Sequence, residues 1–408
     1  MKQNLSIPKT GLKNLPLYYP LVTALALSLA AAVALGLSRF SYGLLLPLMR
    51  NDLGWSYLLS GIMNTGNALG YFLGVLATPF LISRFGVWCL LIAGSVMVGI
   101  FMLLTGIATD NVALFLYRMF TGIVSAFIFI AGGVLSVQLC SIHRDRAGLL
   151  MGLYYGGVGF GIMLSALLVP MAFIYAQEYS VLHAWQWPWR VMGVGCILVT
   201  VIIALPTQQI GKALPSQDTK QQFALKDFIF SLSGYFMFGV GYIGYMTFVV
   251  ALLHEQGMHT KLITWFYSLL GLAVVASSRI WAGMLDHFKG GESLAILNAL
   301  LGVACILPVL TNAVPVIFIS GIVFGAVFLS VVASTTALVR HNLDQESWAT
   351  GISVFTGVFA FGQIVGPSAM GWVADMPSGL ERGLMVSAFT LFIGAMLASR
   401  QKELKKFH

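Results

Sequence analysis

Apolar residues run through this chain in long blocks, and polar residues collect in the short gaps between them. A helix needs about 20 residues to cross the hydrocarbon core of a bilayer. Twelve blocks have the length and apolar character of such spans, at 18–48, 57–81, 86–108, 112–138, 147–174, 188–206, 228–253, 262–285, 293–310, 315–339, 348–374 and 380–399. An even number of crossings returns both termini to one side. The longest polar interruption, 207–226, carries Gly211, Pro215, Ser216, Gln217 and Asp218, the composition of a flexible linker. The pattern predicts an all-α membrane protein built as two six-helix bundles, 1–206 and 227–408, joined by that linker.

Composition agrees. Of 408 residues, 58% are hydrophobic and only 9% charged, against roughly 25% charged in a soluble domain. A net charge of +8 would suggest a nucleic-acid partner in a soluble protein, but its placement gives another reason. Fifteen of the 22 Lys and Arg fall on the side of the termini, four on the opposite side and three within the apolar blocks. The positive-inside rule then makes the termini cytoplasmic, with no nucleic acid implied. The basic segment before the first block resembles a signal peptide, yet the block is too long and Arg39 interrupts it, so an uncleaved first helix is expected. Cys89, Cys140, Cys196 and Cys305 lie in or at the ends of apolar blocks and read as small core residues, not disulfides or metal ligands.

Arg39 stands near the middle of the first block, within Gly36-Leu37-Ser38-Arg39-Phe40-Ser41-Tyr42-Gly43. An arginine at that depth costs at least ~2.5 kcal/mol on insertion scales, and it ordinarily faces a water-filled cavity or a ligand. The fourteen Asp and Glu and the seven His all fall in loops or at block ends. The midplane charge is thus positive, with no fixed counter-ion and nothing that titrates near neutrality. An anion is the natural partner, because guanidinium pairs with carboxylate or phosphate through a two-pronged fork. Any proton coupling must use the substrate's own acid or a peripheral one such as Asp286, and anion exchange needs no titrating side chain.

The halves carry related strings. Gly36-x-x-Arg39-x-x-Tyr42 in span one has a counterpart in Gly239-x-x-Tyr242-x-x-Tyr245 in span seven, as a parallel duplication predicts. Small residues four apart, Gly70/Gly74, Gly152/Gly156, Gly157/Gly161 and Gly362/Gly366, mark close helix packing. They fit either static packing or a rocking interface between halves.

With these features the chain resembles the major facilitator superfamily over essentially its whole length. After span two it reads Pro79-Phe80-Leu81-Ile82-Ser83-Arg84-Phe85-Gly86, where Arg84 and Gly86 fit the family's loop motif and Pro79 and Ser83 depart from it. The second-half counterpart, Trp281 to Phe288, keeps the acid as Asp286 and loses the basic residue after it. Arg118-x-x-x-Gly122 in span four is similar to the family's arginine motif there, and span five is glycine-rich but lacks a central Gly-Pro pair. The string Arg39-Phe40-x-Tyr42-Gly43, with Gly241 to Phe248 in span seven, resembles a YbfB/YjiJ-like bacterial branch.

The resemblance implies the major facilitator fold, alternating access, and a central cavity lined by spans one, four, seven and ten. On that frame Arg39, Tyr42, Arg118, Tyr242 and Tyr245 are the expected substrate contacts. Arg118 reads equally as a staple holding backbone carbonyls, and single tyrosines in membrane helices mostly pack. Asn64, Asn67 and Gln363 are expected first as interhelical hydrogen bonds and then as secondary contacts, and Trp265 is expected to pack or to stack on substrate. Trp185 to Arg190 reads as an interfacial aromatic anchor. Arg84, Gly86 and Asp286 are the expected conformational-switch positions.

No phosphate-binding loop, His-Glu-x-x-His, Gly-x-Ser-x-Gly or Cys-x-x-Cys occurs, so no enzyme activity, metal or cofactor is expected. The reading is a monomeric secondary transporter of a bacterial inner membrane. It moves a small polar organic solute, preferably an anion such as a carboxylate, with a proton or a counter-anion as coupling species. The rivals are proton-coupled efflux of amphipathic drugs or metabolites, which the 28 Phe and 18 Met would suit, and a receptor or scaffold that transports nothing.

Overall fold

Long apolar runs force the backbone to satisfy its own polar groups, and a helix does so within one segment. The computed structural model describes residues 19–208, 210, 224–344 and 347–404. Among them are twelve helices long and apolar enough to cross a membrane. They are α1 (Tyr19–Leu53), α2 (Tyr57–Phe85), α3 (Val87–Thr105), α4 (Asn111–Ile142), α5 (Ala147–Glu178), α6 (Gln186–Thr207), α7 (Ile229–Glu255), α8 (Thr260–Ile280), α9 (Glu292–Leu310), α10 (Val314–Asn342), α11 (Trp348–Ala374) and α12 (Gly379–Ala398). The expected spans are all present, with ends shifted by a few residues. Span eight differs most. It stops at Ile280, and a separate short helix, Ala282–His287, follows. Most of the expected 207–226 linker lies outside the described residues.

Local chemistry sets the ends. Gly54 takes a left-handed conformation (φ 66°) that closes α1, and the Ser56 hydroxyl accepts from the Leu59 amide 3.0 Å away to start α2. Asp110 caps α4 in the same way, accepting from the Ala113 amide at 2.8 Å. Within α1, residues Ala32–Phe40 form a π-helical stretch, with the Ser41 amide reaching back five residues to Gly36. Such wide turns are rare and gather at functional sites. Here the stretch carries Arg39.

Packing repeats between the two sets of six. In the first, α1 packs on α5 and α6, α2 on α4, and α3 on α4 and α6; in the second, α7 packs on α11 and α12, α8 on α10, and α9 on α10 and α12. Between the sets, α2 packs on α11, α5 on α8 and α1 on α7. The glycine pairs mostly serve contacts within a set. Gly70 and Gly74 face α4, Gly157 and Gly161 face α1, and Gly362 and Gly366 face α7. The contacts between sets use mostly other glycines, and at several of these no side chain fits. A Cβ on Gly61 would collide with the Pro367 carbonyl, and one on Gly271 would sit 2.7 Å from the Gly159 oxygen.

Candidate functional site

Two guanidinium groups lie inside the helix array. Arg39 is 4% exposed and Arg118 1%. Neither has an acidic partner among the described residues, and they are close enough for their like charges to repel. Their surroundings differ. Arg118 donates Nη1–H to the Ser38 carbonyl at 2.9 Å and Nη2–H to Asn64 Oδ1 at 3.2 Å. Its guanidinium carbon lies 4.5 Å from the Tyr42 ring centre and 5.4 Å from that of Trp189, within the range of a cation–π contact. Asn64 in turn donates to Thr247 Oγ1 on α7 at 2.7 Å. Asn67 donates to the Arg118 carbonyl at 3.1 Å.

Arg39 is less well satisfied. Its Nη2–H donates to Gln363 Oε1 on α11, and the Tyr71 ring centre lies 5.1 Å from its guanidinium carbon. The Arg39 Nε and the Gln363 Nε2 are both buried and have no partner. Tyr71 lies within electrostatic reach of Arg39, Tyr242 and Tyr155. Tyr71 and Tyr242 are buried, whereas Tyr155 is 39% exposed.

The opposite, distal end is closed. The Asp375 carboxylate, just past α11, accepts from the first two amides of α2, Tyr57 at 2.6 Å and Leu58 at 3.0 Å. The Tyr57 hydroxyl donates to Glu255 at the end of α7, and Arg50 lies over the Tyr57 ring at 3.8 Å. Deeper in, Thr65 hydrogen-bonds the Ile364 carbonyl and the Ser368 hydroxyl, and Tyr267 donates to the Phe40 carbonyl at 2.7 Å. Hydrogen bonds between the two sets of helices therefore gather at Arg39 and on its distal side.

Residues 31–399 match the family described as uncharacterised MFS-type transporter YbfB. The chain belongs to that family. Three solved structures share the architecture. A bacterial homologue of the human lysosomal transporter Spinster, inward-facing and unoccupied, is 17% identical over 93% of this chain and 96% of its own, with a TM-score of 0.70. The nucleoside transporter NupG is 13% identical over 94% and 100%, also at 0.70. The human organic anion transporter MFSD10 is 15% identical over 96% and 100%, at 0.63. No curated protein matches the chain in sequence. Family and fold make this a multi-pass membrane transporter.

In this YbfB-type chain the expected site residues separate into groups. Arg39, Gln363 and Tyr242 come together in the centre, while Arg118, Asn64, Asn67 and Tyr42 form a second, more distal cluster. Tyr42, three residues after Arg39, does not share its face. The π-to-α change at Ser41 turns Tyr42 toward Arg118, and its hydroxyl donates to the Ser60 carbonyl at 2.8 Å. Tyr245 is not at the centre either; it hydrogen-bonds Ser320 at 2.7 Å and stacks on Phe324, both on α10. Trp265 is 62% exposed on the outer surface, so it stacks on nothing central. The expected aromatic anchor is split, with Trp185 and Trp189 buried. Arg84 and Asp286 are exposed, and Gly86 has positive φ (83°) with open space around it. These three sit at the end of the array where the chain termini lie.

Several participants carried no sequence signal of their own. Tyr71 and Tyr155 are two tyrosines among fourteen, and Ser38 acts through its backbone carbonyl. Glu255 and Asp375 read correctly as span-end acids, but their meeting at Tyr57 joins positions 198 and 318 residues apart.

Proposed function

We propose that this protein is a secondary transporter of a small organic anion, working by alternating access, with Arg39 as the group that holds the anion. The observation that carries the reading is the state of Arg39. It is buried, it lacks an acidic partner among the described residues, and its Nε has no partner, as is true of the Nε2 of Gln363, the residue its Nη2 contacts. A buried charge in that condition costs several kcal/mol unless something completes its shell. An anion arriving through a cleft opening on the side of the termini would complete it, and a cation is repelled by both arginines. The fold alone leaves the substrate open, since its neighbours include a nucleoside transporter and an organic anion transporter. The charge at the centre favours the anion.

The same geometry supports a cycle. With the distal end closed, the site opens toward the side of the termini, which the distribution of Lys and Arg makes cytoplasmic. Rocking the two sets of six about Arg39 and Gln363 would break the distal contacts and close the cleft. The setting is a bacterial inner membrane, the working unit a monomer, and the coupling species a proton or a counter-anion.

The test is flux into liposomes containing only this protein, with Arg39→Lys and Arg39→Gln beside wild type. The expected result is carboxylate uptake that falls about 100-fold or more in Arg39→Gln, because a bidentate charged contact is lost, and falls substantially in Arg39→Lys, which keeps the charge but not the fork. Wild-type rates in both variants would sink the assignment. No flux of any solute would favour a receptor or scaffold, and flux of hydrophobic cations alone would favour drug efflux.

A further inference from the structure

The wall facing Arg39 consists of stacked rings. Tyr242 lies 4.8 Å from Phe238, 5.6 Å from Phe359 and 5.9 Å from Phe328, with interplanar angles of 21°, 22° and 9°. Tyr235 extends the stack, 5.0 Å from Phe359 at 18°. These rings come from α7, α10 and α11 and stand nearly parallel. Phe359 is only partly buried, as is Phe129 beside Tyr155, at 6.2 Å between centres. Aromatic surface thus surrounds the two unpartnered donors.

The donors are also few. Arg118 has both Nη groups engaged, by Ser38 and by an Asn64 that is itself tied to Thr247. The Arg39 Nε and the Gln363 Nε2 are buried donors without partners at the centre, while the Arg118 Nε, also unpartnered, lies in the distal cluster against the Tyr42 and Trp189 rings. Together the two central donors match one carboxylate, whose two oxygens accept in the plane of a guanidinium fork. A second carboxylate on the same solute would lie against the rings of that wall.

We propose that the site selects planar aromatic monocarboxylates, the carboxylate on Arg39 and Gln363 and the ring against the Tyr242–Phe359 wall. The proposal rests on the anion reading above and narrows it. Offset stacking on an aromatic face favours a flat ring over a saturated one of the same size and charge.

The test uses the full-length protein in detergent, with thermal unfolding read against solute concentration, since a ligand that binds the folded state raises its stability by mass action. The probes are benzoate, cyclohexanecarboxylate, phthalate, benzyl alcohol and benzylammonium. Benzoate should act at about tenfold lower concentration than cyclohexanecarboxylate and phthalate, and the neutral and cationic probes should fail. Phe359→Leu should remove the preference for benzoate over cyclohexanecarboxylate and leave the response to carboxylates in place. If Phe359→Leu does not fold, the wild-type ranking decides. Equal potency of benzoate and cyclohexanecarboxylate overturns the aromatic selection and leaves the anion reading standing. A stronger response to benzylammonium or benzyl alcohol, or none to any carboxylate, overturns both.

Discussion

Asp375 caps the helix that begins at Tyr57. The carboxylate at the end of α11 takes the hydrogen bonds of the first two amides of α2, 2.6 and 3.0 Å away, and so joins the two sets of six helices at the distal end. A helix start leaves its first amides without intrahelical acceptors and carries partial positive charge, so a carboxylate suits it better than any neutral group. In the proposed cycle the contact is present only while the distal end is closed.

Asp375→Asn should therefore loosen the distal closure without unfolding the protein. A hydrogen bond to a charged group contributes about 1.5–3 kcal/mol, and asparagine keeps one neutral acceptor. The expected shift in the open-to-closed ratio is on the order of fivefold. Maleimide labelling of a cysteine placed at Asn51, which lines the distal pocket beside Arg50 and Glu255, measures it in a background lacking Cys89, the exposed native thiol. Labelling no faster than in the Asp375 parent would show that the cap does not hold the closure.

Asn64 passes the bonding of Arg118 to Thr247. Asn64→Ala strands a guanidinium donor in a buried place, and the expected loss is about 2–3 kcal/mol in the folded protein. Thr247→Ala should cost less, about 1 kcal/mol. Because Arg118, Asn64 and Thr247 form one chain, the double variant should lose less than the sum of the two. Denaturation of the detergent-purified variants checks this, and strict additivity would mean that the two contacts are independent.

Gln363→Glu supplies the counter-ion that the site lacks. The new carboxylate would pair with Arg39 in place of substrate. The variant should be at least as stable as wild type without ligand, and its affinity for carboxylates should fall on the order of 100-fold. Gln363→Ala should lose far less. A Gln363→Glu protein that binds carboxylates normally would place the anion elsewhere.

Gly271→Ala tests the close approach of α5 and α8. The new Cβ would stand 2.7 Å from a backbone oxygen of Gly159, which cannot rotate away. Overpacking of this kind costs about 1–3 kcal/mol, and here it bears on the contact between the two sets. Gly357→Ala, with nothing within 4 Å of the new atom, is the control and should be close to neutral. Equal transport and equal distal labelling in both variants would remove the α5–α8 contact from the cycle.

The twelve spans were legible because a bilayer-crossing helix must be a long apolar run, and that is a property of consecutive residues. Arg39 was legible for the same reason, since a charge in such a run needs an explanation that lies outside the run. The absence of midplane acids also follows from reading along the chain. The family resemblance rested on strings such as Arg39-Phe40-x-Tyr42-Gly43.

What the chain order could not express was decided in space. Tyr42 looks like a neighbour of Arg39 at helical spacing, yet the π-helical stretch ending at Phe40 changes the register and gives it to Arg118. Tyr245 repeats the spacing of Tyr242 but faces α10. Gln363 reaches Arg39 across 324 positions, and Asp375 reaches Tyr57 across 318. Hydropathy says which residues enter the membrane; the direction each one faces there depends on helix register and on which helices pack together, and those are set by the whole array at once.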